Sequence, residues 1–212
     1  MTTTTSAIAI TLALLIPGAA WAQKIEAFTP WEVGDSAAYK WSIGPKVIDV
    51  EETVVESTAA ETKMTQRTAD RSYELRIALP SMIQLTGPCL SNGQQCSFGS
   101  GVEGLQLPLE KGRKWNTAFM VTGETFTADV VQERIVEKVE KIKTPAGEFE
   151  TWRIGFSASI KGKDAKGASF AGKESGTGWF AFPGGKPVLV KFAYRNSFGE
   201  KASRELVKLA YH

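Results

Sequence analysis

The sequence is nearly devoid of histidine: its only one among 212 residues is the last, His212. Catalysis by a histidine that activates a serine or cysteine, and metal centres with histidine ligands, therefore have almost no support. A glycine-rich phosphate loop between a strand and a helix is also missing. These absences argue against the commonest hydrolases, metalloenzymes and nucleotide-binding proteins, and we expect neither catalysis nor a bound cofactor.

The sequence also lacks an excess of charge of either sign. It holds 25 Lys and Arg against 23 Asp and Glu, a formal net charge of +2, and the lysines are scattered among acidic residues. Nucleic-acid-binding domains usually carry a clustered basic surface. We therefore expect no nucleic-acid partner.

Only one hydrophobic run occurs, at the start of the chain, and it is short. It covers Ala7–Ile16 and is followed by Pro17-Gly18 and by Ala20-Trp21-Ala22. The run is shorter than the roughly 18–20 residues that span a membrane, and small residues at this spacing are typical of a signal-peptidase site. Lys and Arg are absent from the segment before it, which is unusual for a secretory signal.

These features predict a signal peptide over residues 1–22, cleaved between Ala22 and Gln23, and one domain over 23–212. No cysteine lies at the cleavage site, so we expect no lipid anchor and no membrane span after removal of the signal. The expected location is the periplasm of a bacterium, or outside the cell. A mature chain of this length can bury a full core.

Cysteine occurs only twice, at Cys89 and Cys96. In an exported protein, two close cysteines around a Ser-Asn-Gly turn are typical of a structural disulfide. A redox pair or a metal site is the alternative, but the spacing is not C-x-x-C and no histidine is near.

Period-two alternation of apolar and polar residues is the dominant pattern, and it predicts strands with one buried face. The clearest case follows Pro145 and Gly147, which favour a three-residue hairpin loop. Trp152, Ile154 and Phe156 then fall on one face of a strand. Similar stretches along the chain predict one all-β domain of about eight to eleven antiparallel strands.

Three segments fit this scheme less clearly. Residues 130–143 have a helical stripe that slightly favours a helix, although β-branched residues and the hairpin after them favour a strand. Residues 97–114 are rich in glycine and are predicted to be a long connection. Residues 161–178, mostly Gly, Lys, Ser and Ala, are predicted to be a flexible exposed loop.

The second half of the chain resembles a family of exported bacterial proteins of unknown function, which are similar in turn to the half-barrel lipoprotein localisation factors. The matching stretches, in order, are Pro108-Leu109-Glu110-Lys111-Gly112-Arg113-Lys114-Trp115, Thr144-Pro145-Ala146-Gly147-Glu148-Phe149-Glu150-Thr151-Trp152, Gly178-Trp179-Phe180-Ala181-Phe182-Pro183 and the hairpin Val188 to Tyr211. The resemblance implies one strongly curved antiparallel sheet, a half-barrel or incomplete barrel, with or without a short helix across its concave face. It also implies a strand for residues 130–143. It supplies no catalytic residues, and the segment around Cys89 and Cys96 and the Pro183–Lys186 turn depart from it.

A curved sheet must cover its apolar face with itself, a helix or a ligand. We therefore expect a binding or carrier module for a lipid, an acyl chain or an apolar peptide segment. The expected groove residues are Tyr39, Trp41, Trp115, Phe119, Trp152, Ile154, Phe156 and Phe192. The alternative is that these side chains only fill a packed core.

Three other functions remain open. An envelope accessory protein without a small ligand, with an envelope protein as partner, fits the composition equally well. A carboxylate hydrolase would use Glu32 with Asp35, or Glu148 with Glu150. A sugar-stacking surface would need Trp31 or Trp179 exposed at a sheet edge.

Overall fold

The computed structural model describes residues 24–89 and 94–212. The predicted signal peptide over residues 1–22 and the cleavage site between Ala22 and Gln23 lie outside the described residues. No helix in the described ranges is long and apolar enough to cross a membrane.

The described chain is built from antiparallel strands joined mostly by short turns. They are β1 Ser36–Ile43, β2 Lys46–Ser57, β3 Glu61–Arg67, β4 Ser72–Ala78, β5 Ile83–Pro88, β6 Gln95–Glu103, β7 Lys114–Thr122, β8 Phe126–Thr144, β9 Gly147–Asp164, β10 Ser169–Ala181, β11 Val188–Asn196 and β12 Lys201–Ala210. The expected all-β class is confirmed. The expected short covering helix is not found in the described residues, where a 3-10 turn at Pro183–Gly185 is the only helical element.

The sheet closes into a complete barrel, so the expected half-barrel or incomplete barrel was too open. Each strand pairs with its neighbours in chain order, and β1 also pairs with β12. That last pairing runs from Ser36 opposite Ala210 to Ile43 opposite Ala202. Every described strand therefore has a neighbouring strand on both sides.

Residues 130–143 belong to β8 and are a strand, as the resemblance implied, although their periodicity favours a helix slightly. The register of β8 against β9 shifts between Val136 and Lys138. Such a bulge changes which positions of a strand face inward. Val130 and Val136 are therefore buried before it and Val139 packs against the core after it, so no single alternation fits the segment.

The predictions for the two glycine-rich segments were wrong. Residues 161–178 are not an exposed loop, since β9 continues to Asp164 and β10 begins at Ser169. Residues 97–114 are not all connection, because β6 reaches Glu103. Glycine is unfavourable in a strand interior unless another group needs its space, and here aromatic rings occupy that space. The ring of Phe156 packs where a Cβ of Gly176 would lie.

The barrel has two different ends. We call the end reached by residues 24–35, 104–113 and 182–187 the closed end, because an apolar cluster fills it. The cluster comprises Trp31, Val54, Met82, Leu105, Leu109, Trp115, Val136, Trp152 and Ile154. The turns at 68–71, 123–125, 165–168 and 197–200 lie at the other end, the open end. The predicted disulfide between Cys89 and Cys96 is present there, with 5.5 Å between the two Cα atoms.

The wall is least regular between β6 and β7. These strands share a single register pair, Ser97 opposite Thr122. Gly99 and Gly101 on β6 have positive φ, +51° and +91°, a conformation that favours glycine. A hydrogen bond of 3.1 Å from the Ser100 hydroxyl to the Ala118 carbonyl oxygen provides a further link between the two strands.

A buried ion pair ties the closed end together. Lys186 Nζ lies 2.8 Å from Asp35 Oδ2, and the two side chains are 7% and 1% exposed. The Asp35 carboxylate also accepts hydrogen bonds from the backbone N–H groups of Glu32 and His212, both at 2.8 Å. Burial alone would raise the pKa of Asp35, but these donors and the Lys186 ammonium outweigh it and hold that pKa below its ordinary value.

We expect Asp35→Asn to lower the free energy of unfolding by about 3 kcal/mol at pH 7, because it leaves the Lys186 ammonium buried without its main partner. Urea titration followed by tryptophan fluorescence measures this change. The control is Asp49→Asn, whose carboxylate pairs with Lys40 at the surface and is 83% exposed. That variant should change stability by less than about 1 kcal/mol.

The difference between wild type and Asp35→Asn should depend on pH in a defined direction. A carboxyl with a lowered folded-state pKa stabilises the fold above its ordinary pKa of 3.8 and loses that effect as the pH falls through the lower folded value. The stability gap should therefore shrink below about pH 4. A gap that stays constant down to pH 2 would contradict the ionic role of Asp35.

The disulfide generates a second stability prediction. The Cys89→Ser/Cys96→Ser double variant should lose roughly 2–3 kcal/mol, since the short loop is then free in the unfolded chain. Urea titration of both proteins without reductant measures the loss. Adding reductant should lower the free energy of unfolding of the wild type to that of the double variant. If reductant leaves the stability of the wild type unchanged, the disulfide does not contribute to it.

Candidate functional site

The barrel encloses a cavity of about 750 Å³. A barrel of twelve strands is wider than the eight-stranded barrels whose interiors side chains can fill. The cavity extends from Trp31 and Leu105 at the closed end to Phe126, Phe170 and Phe198 at the open end. It is therefore an elongated space with a floor and a mouth.

Most of the cavity wall is apolar and aromatic. Phe156 on β9 stacks on Phe192 of β11 at 6.0 Å between ring centroids, and Phe192 stacks on Tyr194 at 6.3 Å. On the adjacent strands β6 and β7, Phe98 and Phe119 meet edge to face at 6.4 Å between ring centroids. Rings in these arrangements attract one another beyond the effect of their buried area, so they form a stable apolar surface.

One charged pair lies on the wall formed by β12, β1 and β2. Arg204 Nη2 is 2.7 Å from Glu52 Oε1, and both side chains are 12% exposed. The Arg204 guanidinium also lies over the Tyr39 ring, 3.6 Å from its centroid. Burial by itself lowers the pKa of Arg204, but the charge of Glu52 more than compensates and raises it. Arg204 is therefore a permanent cation inside the barrel.

A second charged group lies on β8, β10 and β11. Burial lowers the pKa of Arg134 to about 10, with the charge of Glu174 opposing the shift. Burial also raises the pKa of Glu174, against a hydrogen bond with Tyr194 and the charge of Arg134. Arg134 Nε donates to Gln132 Oε1 at 2.8 Å, and its guanidinium lies 5.3 Å from the centroid of the Phe156 ring. Each buried cation thus has a carboxylate that faces it.

The expected groove residues divide between the cavity and the packed floor. Five of them line the cavity: Tyr39, Trp41, Phe119, Phe156 and Phe192. Trp115, Trp152 and Ile154 instead belong to the apolar cluster at the closed end. The indole N–H of Trp115 donates to the Glu103 carbonyl oxygen at 3.2 Å. The first five side chains therefore surround open space, and the other three fill a packed core.

The charged residues of the cavity are not among the groove residues expected from the sequence. Glu52 alternates with Val50 and Val54, and Arg204 lies two residues from Ala202 and Leu206, all of them buried. A charged residue at an inward position of a strand indicates a buried polar group. The alternation in the sequence places both Glu52 and Arg204 at such positions. Glu174 could not be found in this way, because its segment was predicted to be a loop.

Of the four carboxylates proposed for hydrolysis, only Asp35 lines the cavity, so neither proposed pair lies there together. Glu148 is exposed on the β8–β9 hairpin and forms an ion pair with Lys141 at 3.3 Å. Asp35 is buried with Lys186, while the side chain of Glu32 is 63% exposed. In the part of the chain that the structure describes, no group of three or more His, Cys, Asp and Glu side chains could hold a metal ion.

The tryptophans proposed for sugar stacking are not at a sheet edge. Trp31 is buried and its indole N–H donates to the Pro187 carbonyl oxygen at 3.1 Å. Trp179 is half-buried on the outer wall, where its indole N–H donates to Glu140 Oε1 at 2.8 Å. The Arg153 guanidinium covers its ring at 5.5 Å from the centroid.

Comparison with known proteins places the fold among solved bacterial structures. A candidate lipoprotein of Parabacteroides distasonis aligns at a TM-score of 0.54 and 13% identity, over 89% of this chain and 100% of that one. A candidate exported protein of Bacteroides fragilis, described as having a YmcC-like fold, aligns at 0.47 and 12% identity over 87% and 99%. The hypothetical lipoprotein YmcC of Escherichia coli aligns at 0.45 and 9% identity over 84% and 86%.

The first of these similarities identifies a shared barrel fold. The similarity to lipoprotein localisation factors that the sequence implied is not confirmed. The sequence matches no protein-family model and no curated protein.

Proposed function

We propose that this chain is an exported barrel protein that binds an elongated hydrophobic ligand in its interior and does not act as an enzyme. The observation that carries the proposal is the cavity of about 750 Å³ with mostly apolar walls. Ligand pockets in proteins typically measure about 300–1,000 Å³ and combine apolar walls with a few polar groups. The cavity has that size and that composition.

The open end supports entry of an apolar ligand. Phe126, Phe170 and Phe198 form a chain of edge-to-face contacts there, each at 6.3 Å between centroids. Phe198 is 54% exposed, which is unusual for a phenylalanine. An aromatic rim beside the mouth gives an apolar molecule a surface to contact before it enters.

Three observations support export. The sequence predicts a signal peptide over residues 1–22, and a disulfide joins Cys89 and Cys96. Disulfides persist mainly in oxidising compartments such as the periplasm. The solved protein of similar fold from Parabacteroides distasonis is described as a candidate lipoprotein, and lipoproteins are exported.

Binding should depend on the free volume of the cavity, and two adjacent residues of β7 test this. Val121 lines the cavity and is partly buried, whereas Met120 points to the outer surface and is 49% exposed. Val121→Trp should weaken binding of the fluorescent hydrocarbon diphenylhexatriene on the order of tenfold, which is about 1.4 kcal/mol. Met120→Trp adds the same side chain outside and should leave the affinity unchanged. Titration of the probe emission measures both.

The same experiment separates a carrier from an accessory protein. If the wild type does not bind the probe, and organic extraction of protein purified from its native compartment releases no hydrophobe, the carrier function is wrong. The accessory function would then stand. If both variants bind as well as the wild type, the probe occupies another surface, and the cavity is not the site.

A further inference from the structure

Two cations line the cavity, Arg134 and Arg204, and their surroundings differ. Arg204 Nη2 lies 2.7 Å from Glu52 Oε1. In the described part of the chain, no carboxylate oxygen lies within 4.0 Å of a side-chain nitrogen of Arg134, although Glu174 faces it from β10 at longer range. Arg134 is therefore a cation inside the barrel without an anion in contact.

The guanidinium of Arg134 is held by neutral groups and keeps one nitrogen free. Nε donates to Gln132 Oε1 at 2.8 Å, and Nη1 donates to the Gly104 carbonyl oxygen at 3.4 Å. Nη2 has no partner among the described residues, and it is not one of the buried atoms that lack a partner. Because Arg134 lines the cavity and is partly exposed although it lies inside the barrel, the free Nη2 has surface that faces the cavity.

A cation inside a barrel is unfavourable when no anion touches it. Taking a charge out of water is costly unless a partner of opposite charge compensates. Burial lowers the pKa of Arg134 to about 10, which still leaves the side chain charged at pH 7. An anionic oxygen of a ligand in contact with Nη2 would supply the partner that the protein does not.

The inward side chains of β8 change from polar to apolar toward the open end. Arg134 and Gln132 are followed in that direction by Val130, Ala128 and Phe126, and all five line the cavity. Arg134 and Phe126 are separated by about 26 Å of strand, or about 20 Å along the axis of a barrel with the usual strand tilt. An extended hydrocarbon chain that starts at Arg134 would therefore follow an apolar wall to the mouth.

The neighbouring strands extend this apolar wall. Phe119, Val130 and Ala158 form a buried cluster between Arg134 and the mouth. Other apolar side chains pack against the cluster: Phe98, Val102, Val121 and Ile160. Together they provide a surface for hydrocarbon on three sides of the line from Arg134 to the mouth.

The acidic residues of the wall favour a head group deep in the barrel. Asp35 and Glu52 already have cationic partners. Asp164 and Glu200 line the cavity at the open end. An anionic head group would be repelled there, whereas a hydrocarbon chain carries no charge that they could repel.

We propose that the ligand is a long-chain carboxylic acid bound as its carboxylate, with the head group on Nη2 of Arg134 and the hydrocarbon chain along Val130 and Ala128 toward the mouth. This inference rests on the proposed function, since it names the class of ligand that the same cavity binds.

Two amphiphiles of equal chain length and opposite charge test the sign of the head group. Hexadecanoate and hexadecylammonium are each used at pH 7 to displace diphenylhexatriene from the wild-type protein. Hexadecanoate should bind at least about tenfold more tightly, because it makes a charge-assisted hydrogen bond where the ammonium meets a like charge. Equal or tighter binding of the ammonium would overturn the inference.

Arg134→Met tests the contact itself, since it keeps the length of the side chain and removes the charge. It should weaken the binding of hexadecanoate about tenfold or more, and the binding of methyl hexadecanoate less than about threefold. Each affinity is compared with that of the wild type for the same ligand, so that differences in solubility between ligands cancel. Equal losses for the acid and the ester would show that Arg134 does not bind the head group.

Glu174→Gln changes the affinity in the opposite direction. Glu174 lines the cavity and its charge faces Arg134, so it competes with a ligand carboxylate for that cation. Removing the charge should tighten the binding of hexadecanoate about 3- to 10-fold. Weaker binding than in the wild type would contradict a carboxylate site at Arg134.

The matched control is Arg195→Met, because Arg195 is an exposed cation on the outer face of β11, where it donates to Ser175 Oγ at 3.2 Å. This variant has the same net charge as Arg134→Met and should bind both ligands as the wild type does. A loss of hexadecanoate binding as large as that in Arg134→Met would mean that net charge, not contact, decides the affinity.

The wild-type comparison does not depend on the folding of any variant, and circular dichroism of the sheet checks each variant before titration. Every contradicting result above concerns the head group and leaves the proposed function standing. Failure of the wild type to bind diphenylhexatriene would instead remove the function itself.

Discussion

The pairing of β1 with β12 is the constraint on which the rest of the structure depends. Eight register pairs, from Ser36 opposite Ala210 to Ile43 opposite Ala202, turn a curved sheet into a closed wall. Closure satisfies the backbone groups of both terminal strands and surrounds the interior with a continuous wall. The Asp35–Lys186 ion pair and the apolar cluster then seal one end. The cavity exists because twelve strands surround more space than these residues fill.

The interior combines an apolar surface with a small number of charges at fixed positions. The stacked rings of Phe156 and Phe192 bury hydrocarbon, while Arg204 with Glu52 and Arg134 with Glu174 place polar groups at two levels. Buried ion pairs contribute little net stability, since the cost of desolvation offsets their attraction. Their presence in a wall that apolar residues could also form is consistent with the proposed ligand site, in which these polar groups would distinguish one ligand from another.

Local patterns predicted much of this fold and less of the site. The hairpin at Pro145 was correctly predicted, although two residues rather than three join β8 and β9. Tyr39, Trp41 and Phe156 were assigned to inward faces because alternation decides which side of a strand is buried. Closure could not be predicted, since an open and a closed sheet share the same alternation and differ only in a pairing between chain ends. The inward alternation of Glu52 and Arg204 is visible in the sequence, but aromatic residues dominate the predicted inner face. Glu174 could not be predicted because the glycines around it make its strand resemble a loop.

The irregular junction of β6 and β7 has a consequence for how the barrel moves. With a single register pair at Ser97 and Thr122 and positive φ at Gly99 and Gly101, few ladder hydrogen bonds hold these strands together. Local opening requires least free energy where such bonds are sparse. Amide protons of β6 and β7 should therefore exchange with solvent sooner than those of β8 and β9, which are paired along almost their whole length. The junction of β6 and β7 is therefore the part of the closed wall that should separate first when the barrel opens locally.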